Sequence, residues 1–107
     1  MNESYIINTI NDYANNHYIF PNSYQEQSFK MVSYCRQSVN EILERLIDEF
    51  TKLPSHITGI VPMSHIDILR NYICEMEYMH DMSTTKENKL IFSLAVKTGN
   101  EILDLFL

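Results

Sequence analysis

Tryptophan is absent from the 107-residue sequence, and glycine, cysteine and proline number only two, two and three. Gly59 and Gly99 stand alone, so no glycine-rich loop is available to cradle a phosphate. Cys35 and Cys74 are far apart and form no CxxC pair, which excludes a disulfide framework. Both fall in helix-patterned runs and are expected as reduced, buried, small apolar side chains in a cytoplasmic protein. Arg36 follows Cys35 directly, but neighbours one apart on a helix do not face each other, so that base does not activate the thiol. Positive charge is scarce as well: 8 Lys and Arg stand against 14 Asp and Glu, a net charge of −6. That balance argues against direct binding to nucleic acid or to an anionic membrane. No charge-free stretch has the apolar content of a membrane span. Residues 1–13 carry Glu3 and Asp12 without a base, so no export signal is expected there.

What is present points to a folded domain. Hydrophobic residues make up 45% and charged residues 21% of the chain, close to the average of globular proteins, and the length suits one domain spanning residues 1–107. Pro21, Pro54 and Pro62 divide the chain into four helical segments. The first, residues 3–15, places Tyr5, Ile6, Ile10 and Tyr13 on one side but is diluted by asparagine, so it is expected to be short or frayed. The second opens on the capping-box spacing of Ser23 and Glu26. It carries Val32, Cys35, Val39, Ile42, Leu46, Phe50 and Leu53 at helical spacing until Pro54. The third starts at Ser64 and runs to Met82 with the stripe Ile66, Leu69, Ile73, Met76. The fourth follows a break at Ser83, with Thr84 and Glu87 in capping-box spacing, and continues to the chain end.

The expected fold is therefore all-α: an antiparallel four-helix bundle, or three long helices with one short one. The fourth helix is expected to be the most buried, because residues 90–96 are apolar except at Ser93. No base lies in its last ten residues to meet the negative end of the helix dipole, so packing has to hold it. Its surplus apolar surface would be explained by a homodimer formed through this helix. An internal echo at an offset of 60 aligns Lys30 to Leu43 with Leu90 to Leu103: Ser33 with Ser93, Cys35 with Ala95, Ser38 with Thr98, Ile42 with Ile102. Matching small residues would allow close approach of the two backbones. Short strings shared by chance between amphipathic helices account for it more simply, since no repeat extends through the loops.

Chemistry-bearing arrangements are few. Glu77 and His80 have the Glu-x-x-His spacing of carboxylate-bridged metal bundles, yet a site of that kind needs a second such pair and further carboxylates. One chain cannot supply it, whereas a symmetric dimer adding Glu44 or Asp48 would. The plainer expectation is that His80 continues the core stripe and complements the helix dipole. His56, His65, Ser55, Ser64 and Asp67 lack any activating context for a nucleophile. No cofactor and no enzymatic activity are expected. Glu41, Glu44, Asp48 and Glu49 form an acidic face that would suit mimicry of nucleic acid. However, Glu41 with Arg45 and Asp48 with Lys52 are favourable four-apart pairs, and the net charge divides as −3 and −3 on either side of Lys52.

Two apolar loops are more informative. Tyr18, Ile19 and Phe20 precede the second helix, and Ile57, Ile60 and Val61 lie in a connection longer than most helix-to-helix links. They serve as lids on the core or, where they stay exposed, as a docking surface that Met79 and the other methionines of helix three would extend. The sequence thus favours a non-enzymatic protein-interaction module: a small cytoplasmic regulator or inhibitor that blocks a larger protein complex, of the kind phages and mobile elements encode. A metal-carboxylate bundle across a homodimer and an acidic nucleic-acid mimic are the alternatives.

Overall fold

A computed structural model describes residues 2–21, 26–52 and 63–107. Four helices account for most of them: α1 (Glu3–His17), α2 (Glu26–Phe50), α3 (His65–Met82) and α4 (Lys86–Asp104). Together they form an antiparallel four-helix bundle, with no strand among the described residues.

Local chemistry sets the helix starts. The Asn2 side chain accepts from the Tyr5 amide at 2.7 Å, and that of Ser64 accepts from the Asp67 amide at 3.2 Å, each satisfying an amide that the first turn leaves without an intrahelical partner. The fourth helix begins one residue later than the expected capping box. Thr85, not Thr84, is the cap and accepts from the Asn88 amide at 3.1 Å. Glu87 is thereby released from a capping role and pairs with Lys30 of α2 at 2.8 Å while accepting from the Tyr34 hydroxyl. Ser23, Leu53, Pro54 and Pro62 lie outside the described residues.

The core is one cluster built around α4, which packs most extensively on α3 and next on α2. Leu94, Ala95, Thr98, Gly99, Ile102 and Leu103 are its buried positions. Gly99 is required by the α3 contact: a Cβ there would stand 2.7 Å from Ile73 Cγ1 and 3.4 Å from Tyr72 Cδ1. On α3, Leu69, Ile73 and Met76 are buried as expected, Ile66 is half-buried, and Ile68 and Tyr72 join the core. On α2 the expected stripe is buried at Cys35, Val39, Ile42 and Leu46 and half-buried at Val32 and Phe50.

α1 is longer than expected and is held by Ile6, Ile10 and Ala14, with Tyr18 continuing the same four-residue rhythm. Tyr5, placed on that face by its spacing, is instead exposed. At the other end of the chain, α4 stops at Asp104. A tight turn follows, in which the Leu105 and Phe106 amides donate to the Ile102 and Leu103 carbonyls at 3.1 and 3.0 Å. Phe106 meets the His65 ring edge-on at 5.1 Å, so packing does hold this end of α4.

The 60-residue echo has a structural counterpart. Cys35 and Ala95, Ser38 and Thr98, and Ile42 and Ile102 are all buried, while Ser33 and Ser93 are both exposed. The next matched pair, Glu41 and Glu101, shares a partner type. Glu41 accepts from the Tyr72 hydroxyl at 3.2 Å, and Glu101 accepts from the Tyr18 hydroxyl at 2.7 Å and from that of Tyr13. Short strings shared by chance explain the letters; equal environments explain why both copies suit their places.

Candidate docking surface

The connection leaving α1 places three consecutive candidates in different surroundings. Tyr18 is 6% exposed, and its hydroxyl reaches Glu101 and, at 3.3 Å, Thr98. It is a core lid and not a docking residue, because a phenol buried with its hydroxyl satisfied offers nothing to a partner. Burial, reinforced by the Glu101 carboxylate, raises its pKa well above the ordinary tyrosine value. Burial and Glu101 likewise push Tyr13 up to about 12.

Ile19 and Phe20 do face outward, at 62% and 43% exposure. Phe20 lies against Phe29 of α2, itself 54% exposed, with ring centroids 5.0 Å apart. The Arg36 guanidinium sits over the Phe20 ring, 5.1 Å from its centroid. Arg36 and Phe29 are seven apart on α2 and therefore share a face. Two exposed aromatic rings and a half-buried guanidinium thus form one cluster held by a tilted ring contact and a cation–π contact, with exposed Ile19 next to it in sequence. Phe29 and Arg36 were not singled out from the sequence. The signal available was the seven-residue spacing of Phe29 and Arg36, off the core stripe.

The α3 candidates divide as well. Met76 is a core residue, whereas Met79 is exposed beside Tyr78 and Met82. The Lys30–Glu87 pair joins the start of α2 to the start of α4, and the short break at Ser83 joins α4 to the end of α3. Met79 therefore belongs to the same end of the bundle as Phe29. Ile57, Ile60 and Val61 lie outside the described residues.

The acidic residues do not form the pairs their spacing predicts. Arg45 donates to Glu75 of α3 at 2.7 Å instead of Glu41, because α3 brings a carboxylate within reach and Glu41 is occupied by Tyr72. Lys52 pairs with Glu49 at 2.9 Å instead of Asp48. Glu49 also accepts from the Met63 amide at 2.5 Å, and both contacts hold its carboxyl below the usual range, Lys52 contributing most. Glu41 and Glu49 are thus partly structural, while Glu44 and Asp48 stay exposed.

Glu77 and His80 share a cleft between α3 and α4 with Asp81, Ser93 and Val96. His80 Nδ1 stands 3.3 Å from Asp81 Oδ1, and the imidazole is half-buried and does not complete the core. Among the described residues no group of three or more His, Cys, Asp or Glu is placed to hold a metal ion. Cys35 is buried and its thiol is raised by that burial, whereas Cys74 is exposed on α3, contrary to the expectation that both are buried. Among the described residues no helix is long and apolar enough to cross a membrane. No protein-family model, curated protein or solved structure matches this chain.

Proposed function

We propose that the protein is a non-enzymatic interaction module, a small regulator or inhibitor that docks on a larger protein through Ile19, Phe20 and Phe29. The observation that carries this reading is the exposed, tilted Phe20 and Phe29 ring pair with Arg36 over the Phe20 ring. Aromatic and arginine side chains dominate the energetics of protein interfaces, and a pre-ordered cluster loses little side-chain entropy on binding. Tyr18, directly before it, fixes the connection to the core and so sets the direction in which Ile19 and Phe20 project. Met79 and Met82, at the same end, would extend the contact as adaptable apolar side chains.

The test is affinity capture from the native host with the wild-type chain and with Phe20→Ala and Phe29→Ala. A partner retained by the wild type should be lost or bound at least about tenfold more weakly by either variant at unchanged helicity. Equal retention by all three rejects the surface. The metal-bundle alternative draws on the shared cleft of Glu77 and His80. It requires tightly bound metal in the purified protein, and less than about one equivalent per dimer removes it.

A further inference from the structure

The outer side of α2 carries Phe29, Ser33, Arg36, Asn40, Glu44 and Ile47 at spacings of three or four, one continuous helix face. Ser33, Asn40 and Glu44 are exposed, and Ile47 is 47% exposed despite being aliphatic. Two charged members of this stripe join no ion pair among the described residues. Arg36 joins none of the ion pairs among the described residues, and its Nε is buried without a hydrogen bond. Glu44 is likewise in none of those pairs. Eight residues separate them, about 12 Å along the helix, too far to pair within one chain. Asn40 lies midway.

The order along the stripe is cation, amide, anion, and reversing it gives its own complement. We propose that a second copy of this chain packs antiparallel along α2 with a two-fold axis at Asn40. Arg36 then faces Glu44 of the partner subunit, and the contact is repeated on the other side of the axis. Asn40 faces itself, which an amide carrying both donor and acceptor satisfies. Ile47, lying between Glu44 and Asp48, is covered against the Ser33 end of the other copy. The proposal places the contact on α2 and not on α4, whose large apolar residues from Leu90 to Leu103 are buried or half-buried inside one chain.

The experiment is sedimentation of the full chain over a range of concentrations. The wild type should show a reversible dimer. Arg36→Glu and Glu44→Arg should each weaken it by about a hundredfold, since each variant opposes like charges twice. An equimolar mixture of the two variants should recover the dimer mass, because the mixed pair restores both opposite-charge contacts. A wild type that stays monomeric to millimolar concentration overturns the proposal. So does an unchanged dimer in Glu44→Arg, an exposed position on α2, or a mixture of folded variants that stays monomeric. Should Arg36→Glu fail to fold, Glu44→Arg alone decides. Phe20→Ala should leave the dimer intact, so loss of heterologous docking and loss of self-association are separable.

Discussion

The Tyr18 hydroxyl donates to the Glu101 carboxylate across 2.7 Å, tying the residue that ends α1 to the last turns of α4. The same carboxylate accepts from Tyr13, and Lys97 Nζ stands 3.9 Å away. Burial works against ionisation of Glu101, but the two hydroxyls outweigh it, and the net effect is a lowered pKa.

A carboxyl whose folded-state pKa is depressed contributes stability that is present above its unfolded value, about 4.3, and is lost as the pH falls through the folded value. Glu101→Gln should therefore destabilise the protein by about 1.5–3 kcal/mol at pH 7, the range for hydrogen bonds to a charged group. The gap should narrow between pH 7 and an acidic pH well below the unfolded value, as the wild-type carboxyl takes up its proton. Urea unfolding at both pH values checks this; an equal gap at both would show that ionisation of Glu101 is not what holds α1.

Gly99→Ala should cost about 1–3 kcal/mol in spite of the helix propensity it gains, because the new methyl overlaps Ile73 and a β-branched side chain on a helix has little freedom to turn aside. In an Ile73→Ala background the obstructing atom is gone, and the same substitution should become neutral or stabilising. A double-mutant cycle by thermal or urea unfolding gives the coupling directly.

The lid and the docking surface are distinguishable by stability. Tyr18→Ala should cost about 3–5 kcal/mol, as for other buried aromatics. Phe20→Ala should cost no more than about 1 kcal/mol, mainly the cation–π contact with Arg36. Similar losses at both positions would place Phe20 in the core.

Thiol labelling at neutral pH should modify Cys74 promptly and Cys35 only after unfolding, since one is exposed and the other is buried with a raised pKa. Mass spectrometry of tryptic peptides identifies the site. Prompt labelling of Cys35 would mean that the α2 and α4 contact opens readily.

The helical class and most of the core were legible because apolar periodicity records which face of a helix is covered. Cys35, Val39, Ile42 and Leu46 on α2, and Leu69, Ile73 and Met76 on α3, follow directly from it. Contacts that depend on which helix lies opposite were not legible. Arg45 chose Glu75 over Glu41 because α3 supplies a carboxylate at 2.7 Å, and Tyr72 entered the core because its hydroxyl finds Glu41. Cys74 shows the reverse failure, as its run is helical but its face is outward. At the candidate site, Ile19 and Phe20 could be read as exposed or covering, but Phe29 and Arg36 became visible only once the chain leaving α1 was seen crossing them.

The matched glutamates carry a consequence for how the molecule assembles. Tyr18 belongs to the α1 and α2 half yet is satisfied by Glu101 of the other half, and Tyr72 belongs to the α3 and α4 half yet is satisfied by Glu41 of the first. Each half supplies the lock for the other's key, so neither helical hairpin can bury its tyrosine at no cost while alone. Such reciprocity makes the two halves fold as one cooperative unit, and fragments cut between Lys52 and Met63 would be expected to find each other in solution, restoring together a helicity that neither holds apart.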